Sequence, residues 1–216
     1  MNQSRTYSLT DHIIMQLQSA GETIDGHYKS HRLSPAHDVK ESVLSPREKK
    51  KSVRYMRVNH TGEVCAQALY RGQLIMARDK TVKNALEAAA LEEMDHLAWC
   101  HERLDQLHGR LSLLNPFWYG QSFLIGVCAG LLGDTWSLGF LEETEKQVEN
   151  HLGRHLEPEQ LPLSDAKSRA IVSQMQIDEA HHGQSAHEIG AETLPDLFKK
   201  LMKWQSLVMT TLAYWI

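Results

Sequence analysis

From about Lys50 onward, apolar residues recur at helical spacing, and no stretch alternates with the two-residue period of a half-buried strand. Segment 50–78 carries Met56, Ala66, Leu69, Tyr70 and Leu74 on one stripe. Segment 81–108 is rich in Ala, Leu and Glu, which lose little freedom in a helix, and Gly109 is placed to stop it. Asn115 and Pro116 open the next segment, because proline is tolerated in a first helical turn. Residues 134–155 predict another helix, closed near Glu157 and Pro158. Residues 164–189 predict the last long one, with Ser164 as its N-cap and Gly190 past its end. Residues 195–216 read as an amphipathic C-terminal helix. Ahead of all these, residues 8–20 predict a short amphipathic helix with Ile13, Ile14 and Leu17 on one side. Residues 21–46 hold Gly21, Gly26, Pro35 and Pro46 among polar residues and predict a loop or extended arm. The expected class is all-α, organised as an N-terminal arm over 1–46 and one helical domain over 47–216.

Two stretches depart from an even mix of charge. No charged residue lies between Leu111 and Gly133, which on length alone is enough to cross a bilayer. Asn115-Pro116 interrupts that run, Gly120, Gly126, Gly130 and Gly133 dilute it, and its flanks lack a positive bias. The reading that fits best is a hydrophobic bundle helix that also touches membrane or lines an apolar channel. A buried core helix and a true span are the alternatives. Arg47, Lys49, Lys50, Lys51, Arg54 and Arg57 form a basic run opposed only by Glu48. It reads as a solvated helix face, or else as a contact with anionic membrane.

Composition narrows the classes. The formal net charge of -4 excludes the basic excess of a nucleic-acid binder. Cys65, Cys100 and Cys128 are odd in number and widely spaced, so they form no disulfide framework; they fit a reducing compartment and packing as small apolar groups. The first residues lack a basic start followed by an apolar run, so neither a signal nor a transit peptide is expected. Thirteen histidines raise the question of metal binding.

That question is sharpened by a repeated pair. Glu93 and His96 form one Glu-x-x-His, and Glu179 and His182 form another. Positions three apart lie on the same helix face, so each pair offers two ligands in one direction. Both pairs fall on apolar stripes: Leu86, Ala89, Cys100 and Leu104 flank the first, and Val172, Met175, Ala186 and Ile189 flank the second. Buried charge is costly unless paired or metal-bound. Each pair then needs a carboxylate from a neighbouring helix. Upstream of Glu93 the candidate is Glu63, on the stripe of Met56, Ala66 and Tyr70. Upstream of Glu179 the candidates are Glu142, Glu143, Glu145 and Glu149, of which Glu145 falls between Leu141 and Val148 on the apolar stripe, with Glu142 next. His151, six residues past Glu145, is placed to approach the same site; His60, His101, His155, His181 and His187 read mostly as surrounding or surface groups. The order Glu, Glu-x-x-His, Glu, Glu-x-x-His resembles the ligand set of ferritin-like di-iron and di-manganese bundles. Four carboxylates and two imidazoles make a hard, oxygen-rich site for two divalent ions.

The stretches RVNHTGEVCAQALYRGQ, EEMDHLAWC, LLNPFWYGQSF and DEAHHG together resemble the demethoxyubiquinone hydroxylase family, over roughly residues 50–216 and not over 1–45. The resemblance implies a ferritin-like four-helix bundle with additional hydrophobic, membrane-associating helices. It implies two iron ions on Glu63, Glu93, His96, Glu145, Glu179 and His182, and oxygen-dependent hydroxylation of the ring of a polyprenylated demethoxyubiquinol. The partners expected are the polyprenyl quinol, molecular oxygen and a peripheral membrane contact on the cytoplasmic side of the cell membrane. No nucleic acid is expected; a homo-oligomer or a biosynthetic complex is. Iron storage, peroxide scavenging, a di-iron hydroxylase of another substrate such as a modified RNA base, and a non-enzymatic scaffold are the rival readings.

Overall fold

The computed structural model describes residues 18, 20–24, 26, 28 and 30–216. The short helix expected over 8–20 lies outside them except at 18 and 20, and residues 20–24 are helical. Six long helices follow, and no strand occurs among the described residues. They are α1 (Pro46–Met76), α2 (Lys80–Gln106), α3 (Asn115–Leu131), α4 (Asp134–His155), α5 (Ala166–Ile189) and α6 (Asp196–Trp215).

Local chemistry sets the ends. Helix α1 begins four residues before the expected start. Ser45 and Glu48 close a capping box, each side chain accepting from the other's backbone N–H, and Pro46 occupies the first turn, where its missing N–H is harmless. Pro46, read in the sequence as part of the arm, is a helix-starting proline. Asp79 caps α2 by accepting from the N–H groups of Thr81 and Val82. The cap of α5 is Asp165 rather than Ser164. Ser164 instead donates to Glu48 at 2.8 Å, tying the α4–α5 connection to the start of α1. Gly190 ends α5 in the left-handed conformation, at φ 114°.

Helices α1, α2, α4 and α5 form the bundle. The three-residue link between α1 and α2 forces them antiparallel, and α4 and α5 make the second hairpin. The long crossover between the hairpins contains α3, which packs along α1. The two backbones nearly touch there: a Cβ on Gly126 would run into the Leu69 carbonyl, and one on Gly72 into the Phe123 carbonyl. Helix α6 lies against α1 and α4, held near its end by the Arg57 guanidinium, which donates to the carbonyls of Ala213 (2.7 Å) and Tyr214 (2.8 Å). This is the all-α bundle architecture of ferritin-like proteins.

The core has two apolar halves. One gathers Met56, Trp99, Cys100, Leu104, Leu152, Ile171 and Met175. The other gathers Ala66, Leu69, Tyr70, Leu86, Leu138, Leu141 and Ala186. On every bundle helix the residues between the two halves are the charged ones: Glu63, Glu93 with His96, Glu145, and Glu179 with His182. A polar layer is thus sealed between two apolar ones.

Helices α3 and α6 differ in kind. Phe117, Leu124, Leu131 and Leu132 of the α3 region and Leu197, Leu201, Trp204, Leu207 and Trp215 of α6 are exposed. Among the described residues, no helix is long and apolar enough to cross a membrane, so the true span considered for Leu111–Gly133 is not formed.

Candidate metal centre

The periodicity that buries an apolar stripe also turns the six ligand candidates inward. Glu63, Glu93, His96 and Glu179 form one group, and Glu93, Glu145, Glu179 and His182 a second. Within each group one possible ligand atom per residue lies within 4.8 Å of all the others. Glu93 and Glu179 belong to both groups, as bridging carboxylates would. Both imidazoles face inward through Nδ1. That atom of His96 is 3.2 Å from Glu93, 3.4 Å from Glu179 and 3.9 Å from Glu63. In His182 it is 3.3 Å from Glu179, 3.6 Å from Glu93 and 3.9 Å from Glu145. Glu142 is turned outward instead, 3.2 Å from His187 Nδ1 on the surface.

The electrostatics are those of a centre that needs cations. Burial, reinforced by the charge of Glu93, pushes the Glu63 carboxyl well above the usual carboxylate range. Burial and Glu179 do the same to Glu145. Burial alone would lower His96, but Glu93 and the other carboxylates around it outweigh that and raise it well above its ordinary value; His182 is raised in the same way by Glu179, Glu92 and Glu93. Protons on these four groups balance the charge. Two divalent ions would carry the same total charge. In addition, Glu93 Oε1 and Glu179 Oε1 are buried without a hydrogen-bond partner, on the two residues common to both groups. The donor set and its orphaned oxygens therefore fit a pair of divalent metal ions.

A layer behind the ligands was not singled out in the sequence. The far nitrogen of His96, Nε2, lies 3.0 Å from Asp178 Oδ2. The far nitrogen of His182 lies 3.4 Å from Glu92 Oε2, a looser contact. Asp178 directly precedes Glu179 and Glu92 directly precedes Glu93, so the acid ahead of each Glu-x-x-His faces the histidine of the other pair. That adjacent acid was the available signal. An outer carboxylate of this kind fixes the tautomer and orientation of a metal-bound imidazole. Tyr70 donates its hydroxyl to Glu145 Oε1.

His151 lies elsewhere. It lines a hollow of about 280 Å³ with Tyr55, Val58, His155 and the end of α6, and its ring is 4.1 Å from that of His155. It belongs to neither ligand group. His60 is fully buried, 2.7 Å from the Tyr28 hydroxyl, and burial drives its pKa down to about 3. A separate apolar cavity of about 100 Å³ lies between the bundle, α3 and α6, and none of the six ligand candidates lines it. Gly62 and Ala66 beside Glu63 and Thr144 beside Glu145 line it from the bundle, with Ser122 and Ile125 of α3 and Met202 and Met209 of α6 completing the wall.

A family model described as "Ubiquinone biosynthesis protein COQ7" matches residues 50–213. Similar curated proteins carry the name 3-demethoxyubiquinol 3-hydroxylase. That of Coxiella burnetii (strain RSA 493 / Nine Mile phase I) is 55% identical over 215 residues, covering 100% of this chain and 99% of the relative. Those of Polynucleobacter asymbioticus and Nitrosomonas europaea are 51% identical over 208 residues and 50% over 206, covering 96% and 95% of this chain and 99% and 98% of the relatives. The family match takes in all six ligand candidates, and the chain belongs to the ubiquinone biosynthesis protein COQ7 family.

Proposed function

We propose that this protein is an oxygen-dependent monooxygenase that hydroxylates the ring of a polyprenylated demethoxyubiquinol, the reaction named for its relatives. The observation that carries this reading is the pair of buried ligand groups sharing Glu93 and Glu179. Glu63 and His96 would complete the hold on one iron ion, and Glu145 and His182 on the other. Bound iron would supply the redox chemistry for oxygen insertion into an aromatic ring, with the two electrons needed per turnover drawn from the quinol or an external reductant.

The chain's own residues do the rest. The two apolar layers above and below the ligands exclude water, which strengthens every charge interaction in the centre. Tyr70 holds Glu145 in place. The apolar wall of the cavity between the bundle, α3 and α6 would suit part of an apolar tail. Burial pushes the Cys65 thiol on its wall up to about 12, so that side chain stays protonated and inert. The exposed apolar residues of α3 and α6 would rest on the cytoplasmic face of the cell membrane, where a polyprenyl quinol resides, and the tryptophans of α6 suit the interface.

A single-turnover experiment tests the assignment. Anaerobic protein is loaded with ferrous iron and given a demethoxyubiquinol analogue and heavy dioxygen. A product one labelled oxygen heavier is expected. Iron uptake without a labelled ring, together with peroxide consumption, would overturn the substrate in favour of scavenging. Manganese loading in parallel tests the identity of the metal, and iron-only turnover is expected.

A further inference from the structure

The arm that precedes α1 does more than lie on the surface. Its residues 30–32 pass over the bundle between α2 and α5, at the level of the metal ligands. Ser30 Oγ and the backbone N–H groups of His31 and Arg32 all donate to Asp95 Oδ1, at 3.0, 2.6 and 3.3 Å. The Arg32 guanidinium then spans two helices. Its Nε donates to Asp95 Oδ2 on α2 at 2.9 Å, and a terminal nitrogen donates to Asp178 Oδ2 on α5 at 2.8 Å. The guanidinium also stacks 4.8 Å from the Trp99 ring, whose N–H donates to the Arg32 carbonyl at 3.4 Å. Only a planar fork makes two such bonds and a stack at once.

Asp178 Oδ2 is also the atom that faces His96 Nε2. Its other oxygen accepts from Gln174 at 2.9 Å. The outer carboxylate behind His96 is therefore fixed from three sides. The equivalent acid behind His182 is Glu92, which is 42% exposed and stands 3.8 Å from the same guanidinium. The two halves of the centre match in their ligands and differ in what holds those ligands.

Resting on the metal-centre reading above, we infer that Arg32 is a positioning residue that makes the two halves of the metal centre unequal. It locks the His96 ring through Asp178 and by the approach of its own terminal nitrogen to Nε2 at 3.5 Å, leaving Nε2 outward and Nδ1 toward Glu93 and Glu179. His182, backed only by exposed Glu92, keeps freedom to tilt and exchanges its outer proton with solvent.

Cobalt is a suitable probe, because paramagnetic Co2+ shifts the outer N–H protons of bound imidazoles into an open region of the proton NMR spectrum. The full-length protein loaded with Co2+ should show two such exchangeable signals, one exchanging slowly with water and one rapidly. Arg32→Ala should remove the slow one and weaken Co2+ at one site by about 10–100-fold, the usual effect of losing an outer partner. Arg32→Lys, which keeps the charge and loses the fork, should recover only part of the protection. Circular dichroism serves as the check that the helices remain. Two signals of equal exchange rate in the wild-type protein, or a slow signal that survives Arg32→Ala, would overturn the inference and leave the metal centre standing. Failure to take up Co2+ at all would overturn both. The wild-type and Arg32→Lys spectra decide the matter even where Arg32→Ala does not fold.

Discussion

The hairpins α1–α2 and α4–α5 present the same ligand sequence to the same centre, yet they are built differently. The first closes with a three-residue link, is strapped by the arm through Asp95, and buries His96 completely. The second closes with a ten-residue connection tied to Glu48, and leaves His182 9% exposed beside a half-exposed acid. The four carboxylates divide along another line, since Glu93 and Glu179 are shared and Glu63 and Glu145 are private to one group. A repeat in sequence therefore does not make equal sites. On the proposed reading, the six candidates would set which metals are held, and their surroundings how firmly each half holds.

The division between shared and private ligands gives the largest expected effect. Glu179→Ala should empty both positions and bring turnover to background while the helical content stays unchanged. Glu63→Ala and Glu145→Ala should each leave about one iron per chain, as metal analysis reads it. Equal iron loss in all three variants would break the distinction.

The second expectation concerns acid. His60 is held down to about 3 by burial, with His101 adding to the effect; His151 to about 4 by burial with Arg154; and His155 well below its ordinary value by burial with His151. In the unfolded chain each takes up a proton near pH 6.5, and the folded chain does so only at lower pH. Stability is thus fully present above about pH 6.5 and is lost as pH falls, by roughly 1 kcal/mol per pH unit for each histidine. Two of the three belong to α4. Urea unfolding of the metal-free protein between pH 7 and 5 should therefore flatten more when His151 and His155 are replaced by Phe than when His60 is. The reverse order would place the acid-labile region in the other hairpin.

A smaller difference separates the two outer acids. Asp178→Ala should weaken metal binding by about 10–100-fold, and Glu92→Ala by much less, because its exposed carboxylate is already screened by water. Equal losses would mean that burial of the outer acid does not matter. The smallest effect is local: Ser45→Ala removes one half of the α1 capping box and should cost about 1 kcal/mol in denaturant unfolding, without changing metal content.

How much of this was legible in the sequence follows from how local each signal is. The Glu-x-x-His pairs are written within four residues, and their stripes within two turns, so the ligand candidates stood out. Glu145 was separable from Glu142 because one lies on the apolar stripe and the other does not, and the structure turns Glu142 to the surface. Helix ends were less legible, because a proline marks a loop or a first turn equally well, as at Pro46, and two adjacent cap formers compete, as at Ser164 and Asp165. Arg32 gave no signal at all. Its partners are 63 and 146 residues away, and only the path of the arm brings them together. The surroundings of His151 were hidden for the same reason: six residues beyond Glu145 on a helix points to a different neighbour, here the end of α6.

Any chain that places two such hairpins in one bundle must carry itself from the end of the first to the start of the second. That connector carries none of the six ligand candidates. Here it is α3, an uncharged helix pressed backbone to backbone against α1 and forming one wall of the apolar cavity. The ligand candidates and the part of the cavity wall that α3 supplies thus lie in separate stretches of chain. Ser122 and Ile125 on that wall can change while every ligand candidate stays as it is.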